Sequence, residues 1–212
     1  MKLTRITLCL ALATSMLAGC ASPPRAESGR VDQPIGSVLV RIQKNTGSYG
    51  TGQVTSTLTR MEPRLWKGRQ VAVYANDTGP TLLQLPPNGS FVGLFDGETP
   101  VVTYDPPPGY DWPLEVGKSW TQRYNMTIHR SNRVIPVEVK VAVEAYEDVT
   151  MPGGTFKTFR IRSVDNLGND NVNWFSPDLG VFVKQKLTRT AASPSGAGTQ
   201  EVETIRQTIK SY

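Results

Sequence analysis

Residues 135–143 constrain this chain more than any other stretch: Ile135, Val137, Val139, Val141 and Val143 alternate with Pro136, Glu138, Lys140 and Ala142. An apolar side chain at every second position puts one face of an extended strand in a core and the other in water. The β-branched valines favour that conformation because they pack well on a pleated surface. Weaker alternation recurs at Val71, Val73 and Ala75, at Phe91, Gly93 and Phe95, and at Val181 and Val183. Between these runs fall Asn76-Asp77-Thr78-Gly79, Asn88-Gly89, Asp96-Gly97 and Pro152-Gly153-Gly154. Asn-Gly and Asp-Gly supply the positive φ of tight hairpins, and Pro-Gly suits a type II turn. The expected fold is therefore all-β: a single curved, mostly antiparallel meander sheet or half-barrel with little helix. In the tail, Val202, Ile205, Ile209 and Tyr212 have roughly helical spacing, but Thr204 and Thr208 favour a final strand after a loop at 191–198.

The start of the chain is of another kind. Lys2 and Arg5 make a positive head, 6–17 is apolar, and small residues lead into Cys20. That is the layout of a cleavable export signal, and the apolar run is too short for the about 20 residues of a membrane-spanning helix. Leu17-Ala18-Gly19-Cys20 resembles the lipobox of bacterial lipoproteins. The resemblance implies cleavage between Gly19 and Cys20, a diacylglyceryl group on the Cys20 thiol and an acylated new amino terminus. One acyl chain alone binds a membrane reversibly, whereas three make a lasting anchor. By the same resemblance Ala21, where Asp would retain the protein in the inner membrane, sends it to the outer membrane, facing the periplasm.

Loss of residues 1–19 leaves 193 of the 212 residues, enough for one domain with its own core. Lys2 and Arg5 go with the signal, so the formal charge falls from +5 to +3. No cluster of more than two basic residues occurs, which speaks against nucleic acid as a partner. Cys9 lies in the discarded peptide and Cys20 carries lipid, so the folded domain has no thiol. Disulfides, thiolate metal sites and cysteine nucleophiles are excluded. Residues 20–35 are small, polar and proline-bearing and read as an acylated cysteine plus flexible tether, with an average reach of about 20 Å. Residues 36–212 form the β-sheet domain.

Candidate chemistry is sparse. His129 is the sole histidine, in a predicted strand with Ser131 on the same face, and a histidine alone specifies no site. No Gly-x-Ser-x-Gly elbow occurs. Gly117-Lys118-Ser119 lacks the upstream glycine of a phosphate loop, since position 112 is Trp, and reads as a turn entering a strand. Asp165-Asn166-Leu167-Gly168-Asn169-Asp170-Asn171 does not match the calcium-loop spacing and reads as an Asx-rich turn. No metal site and no cofactor are expected. The aromatics stand out more: Trp112, Trp120 and Trp174 crowd the second half with Phe156, Phe159 and Phe175. Such side chains either fill the core or, on a curved sheet, line an apolar groove, for which Trp112, Trp120, Trp174 and Phe175 are the candidates.

Three ordered segments, 112–120, 149–161 and 174–181, carry a further resemblance: Trp112-Pro113-Leu114 to Trp120, Met151-Pro152-Gly153-Gly154, and Trp174-Phe175-Ser176-Pro177-Asp178-Leu179-Gly180. Over 111–190 the chain is similar to a family of exported bacterial β-sheet proteins of unknown function, often lipoproteins. Their open curved sheet resembles the lipoprotein-carrier superfold of the cell envelope. The resemblance implies turn and packing roles for these residues and brings no catalytic residue with it. The expectation is a non-enzymatic, membrane-anchored envelope lipoprotein that binds an apolar ligand, a lipid or a protein partner. The competing expectation is an envelope hydrolase working through carboxylates, which needs acidic residues converging on one pocket.

Overall fold

The computed structural model describes residues 26–27, 29–86 and 88–210, so Gly19 and Cys20 lie outside the described residues. Among the described residues fourteen strands follow one another: β1 (Ala26–Glu27), β2 (Val38–Gly47), β3 (Gly52–Trp66), β4 (Arg69–Asn76), β5 (Thr81–Leu85), β6 (Ser90–Asp96) and β7 (Thr99–Asp105). After them come β8 (Leu114–Glu115), β9 (Ser119–Ile128), β10 (Arg133–Met151), β11 (Gly154–Asp165), β12 (Asn169–Ser176), β13 (Val181–Arg189) and β14 (Gly198–Thr208). The chain is all-β and antiparallel, as its alternation predicts, and the tail is a strand.

The sheet goes one step beyond a half-barrel. Twelve strands form an up-and-down meander, and β14 pairs with β2 to close it into a barrel. Closure removes both sheet edges, which otherwise present unpaired N–H and C=O groups. The short strands β1 and β8 pair separately, Ala26 with Glu115 and Glu27 with Leu114.

The valines of β10 face inward as their spacing requires: Val137, Val139, Val141 and Val143 are buried against Phe159, Ile161 and Phe175. The outer wall of β9–β14 is laced with opposite charges. Arg123 pairs with Glu138 at 2.8 Å, Arg160 with Glu144 at 3.1 Å, Arg162 with Asp170 at 2.6 Å and Lys184 with Glu203 at 2.9 Å. A barrel that spans a membrane needs an apolar outward band, so this wall belongs in water.

The region β4–β6 departs from simple alternation. Ala72 and Tyr74 face the lumen, yet Val71 and Val73 are buried too, in an outer cluster with Leu83, Leu85, Val92 and Phe95. The end of the β3–β4 hairpin covers that cluster: after a register shift between Met61 and Arg64, Trp66 packs edge-on against Phe95 at 4.8 Å. A second shift between Leu83 and Gln84, opposite Gly93, places Phe91 on the lumen face and Phe95 on the outer one. Two residues of equal parity thus end on opposite faces.

Candidate functional site

The barrel interior is not filled. A cavity of about 570 Å³ runs through it, within the about 300–1,000 Å³ typical of small-molecule sites. Leu39, Leu58, Val139, Val141, Ile161 and Val202 project into it from five strands. Two segments narrow one end. The proline-rich connection after β7 brings Pro108, Gly109, Tyr110 and Trp112 to the cavity wall. It is held by the Phe91 N–H donating to Pro108 O at 2.7 Å, the Gly109 N–H donating to Gln122 Oε1 at 3.1 Å, and Trp112 Nε1 donating to Asn88 O at 3.3 Å.

The second segment is the stretch leading into β2, which the sequence reads as free tether. Arg30 inserts from it: Nε donates to Gly180 O at 2.7 Å, Nη2 to the Tyr74 hydroxyl at 2.5 Å, and Nη1 to Gln84 Oε1. Three acceptors from three parts of the barrel satisfy the guanidinium, so the tether is docked from Arg30 onward and its β1 pairs with β8. Tyr74 lies under two cations, with Arg30 at 5.5 Å and Arg60 at 5.4 Å from its ring centroid. Burial still holds its phenol above the usual range, against the pull of those guanidinium groups. Burial likewise raises the Tyr110 and Tyr124 phenols, so both serve as neutral hydroxyls in the cavity wall.

The four aromatic candidates divide. Trp112 and Phe175 both line the cavity and meet edge-on at 5.7 Å. Trp120 packs behind them, 6.1 Å from Tyr110, and is not part of the lining. Trp174 faces the other way: its Nε1 donates to Glu147 Oε1 at 2.9 Å and Lys184 sits over its ring at 5.5 Å. Alternate residues of a strand point to opposite faces, so neighbours 174 and 175 could not share one groove. The aromatic wall instead recruits Tyr110, Phe91 and Phe182. Tyr110 stacks edge-on with Phe182 at 5.7 Å, but nothing local in the sequence assigns it to a lumen, because that depends on where a loop folds back.

The remaining motifs are structural. His129 ends the strand rather than lying in it: residues 129–131 form a 3₁₀ turn, because the chain reverses there before β10. Its Nε2 meets Thr103 Oγ1 at 2.9 Å, and Ser131 Oγ donates back to Ile128 O at 3.5 Å, so no dyad forms. Lys118 stitches its own loop, with Nζ donating to Asp111 O at 2.6 Å and Pro113 O at 2.9 Å. Asp165 Oδ1 accepts the N–H groups of Leu167 and Asn169, both at 2.9 Å, an Asx turn closing the β11–β12 hairpin. Among the described residues no group of three or more His, Cys, Asp or Glu is placed to hold a metal. No helix among them is long and apolar enough to cross a membrane.

Fold and cavity together define a closed antiparallel β-barrel with a largely apolar lumen. No protein-family model matches the chain, and no curated protein sequence does. Among solved structures it is similar to a Parabacteroides distasonis protein described as a lipoprotein, at 14% identity and a TM-score of 0.47, over 87% of this chain and 100% of that one. It is also similar to an exported Bacteroides fragilis protein with a YmcC-like fold, at 13% identity and a TM-score of 0.49, over 85% of this chain and 99% of that one. A third is the hypothetical lipoprotein YmcC of Escherichia coli, at 11% identity and a TM-score of 0.46, over 85% and 91%. Likeness at this level says nothing of ligand or activity.

Proposed function

We propose that this protein is a non-enzymatic lipoprotein of the cell envelope, anchored through acylated Cys20 to the outer membrane and facing the periplasm, that binds one apolar ligand in its barrel lumen. The observation that carries the reading is the cavity of about 570 Å³ walled by Trp112, Phe175 and inward aliphatic side chains. Closed barrels of this kind hold a ligand where their interior exceeds what side chains fill. The hydrolase reading loses ground because no Asp or Glu is among the described residues lining that cavity, and glycoside cleavage by carboxylates needs two of them facing one substrate. The water-facing outer wall fits a domain held beside a membrane rather than within it.

Tryptophan fluorescence tests the reading. The processed form, residues 20–212 carrying Cys20→Ser and made without the signal peptide, is titrated with a fatty acid brominated along its chain. Saturable quenching is expected in the parent and in Trp174→Phe, and it is expected to be lost in Trp112→Phe. Absence of a saturable response to any apolar probe would remove the lumen ligand and leave an envelope protein as the partner.

A further inference from the structure

The cavity carries charge of one sign. Among the described residues whose side chains line it, Arg30 and Arg41 are charged, and none is Asp, Glu or Lys. Arg30 is committed to Gly180, Tyr74 and Gln84. Arg41 is not. It projects from the middle of β2 into the lumen, between Leu39 and Gln43 on the same strand face. Its cross-strand neighbours are Ser56 on β3 and Thr204 on β14, both buried and neither a counter-ion. Its buried Nε has no hydrogen-bond partner, and neither has the buried Thr204 Oγ1 beside it. The acidic group that acts on Arg41 is Asp77, whose Oδ1 is engaged by the Thr57 N–H at 2.7 Å and which forms no ion pair with Arg41 among the described residues. Burial lowers the Arg41 pKa, yet a guanidinium stays protonated in any protein, so the charge persists.

A half-buried cation with a buried, unsatisfied Nε and no ion pair is costly unless something neutralises it. We propose that the lumen takes a single-chain amphiphile with an anionic head, and that Arg41 binds that head while the chain lies along the apolar wall. This assignment rests on the lumen-binding reading above and names the ligand class. One uncommitted arginine matches one anionic head, and a lumen of about 570 Å³ lies in the range of sites that hold one small molecule. The fork of Arg41 suits a carboxylate or a phosphate, so a free fatty acid and a lysophospholipid share the required chemistry.

Calorimetric titration of the processed Cys20→Ser chain with hexadecanoate, hexadecanol and palmitoyl-lysophosphatidate, each below its micelle concentration, separates the possibilities. The parent is expected to bind at least one anion about ten- to a hundredfold more tightly than the alcohol, the gain of one charged hydrogen-bonded pair. Whichever anion binds more tightly identifies the source of the head. Arg41→Gln should bring that anion down to the level of the alcohol, and Arg41→Lys should restore part of the difference, with ligand-free melting temperatures no lower than the parent's showing that both variants fold. Equal binding of anions and alcohol by the parent overturns the role of Arg41 while leaving lumen binding intact. Binding of none of the three overturns both.

Discussion

Gly180 adopts φ +65°, and a Cβ there would lie 1.8 Å from the carbonyl oxygen of Val31. Gly89, at φ +70°, would press a Cβ to 2.6 Å from Arg30 Nη1. Both glycines thus keep room for the segment at Arg30 and Val31 that docks on the barrel wall, and the Gly180 carbonyl also receives Arg30 Nε. Gly97, at φ +58° with nothing within 4 Å, shares the backbone constraint without the neighbour. Gly97→Ala should cost about 1 kcal/mol, the backbone term alone. Gly180→Ala should cost more and release the segment. Tryptic cleavage after Arg30 reads this directly: it should accelerate in Gly180→Ala and stay at the parental rate in Gly97→Ala. Equal rates in both variants would show that Gly180 does not hold the segment in place.

At the level of the strand, facing decides energetics. Ile161 is fully buried between β10 and β12, and Lys140 is exposed on the outer face of β10. Ile161→Ala should lose about 2–5 kcal/mol in chemical denaturation, whereas Lys140→Ala should stay within about 0.5 kcal/mol. The 135–143 part of β10 was legible in the sequence because one of its faces is dry and the other wet, whereas its continuation to Met151 was not, since a register shift between Val143 and Ala145 breaks the alternation. Strands β4–β6 were not, because the folded-back hairpin at Trp66 buries their second face and alternation disappears. The shift opposite Gly93 adds a parity change that no periodicity reports. His129 was misplaced for a simpler reason: strand and turn differ there by one residue, and Ile128 continues the β pattern to the boundary. For the site, Trp112 and Phe175 could be found as large aromatics near turns, but Trp174 could not be separated from Phe175 without knowing which face was inside. Arg30 and Arg41 were invisible, since a cation in a tether and a cation in a strand ordinarily face water.

Over the whole molecule, closure makes the cavity. The β14–β2 pairing joins the ends of the meander, as where Thr46 Oγ1 donates to Thr199 O across 153 positions, and no local pattern encodes a contact that distant. A half-barrel would offer an open groove; the closed one offers a lumen with charge sorted across its wall, ion pairs outside and two arginines within. Anchoring is a separate matter, resting on Leu17-Ala18-Gly19-Cys20. Labelling of cells with radioactive palmitate should mark the parent and leave Cys20→Ser unlabelled; label retained on the variant would refute the lipobox. The central claim, that the ligand sits inside the barrel, is tested most directly by methyl NMR of the processed Cys20→Ser chain with a stearic acid bearing a nitroxide on its chain. At saturation the methyl signals of Val139, Val141, Ile161 and Val202, which line the lumen, should vanish. Those of Leu65 and Val134, 74% and 59% exposed, should persist. Persistence of the lumen signals, or parallel loss of the exterior ones, would contradict the account.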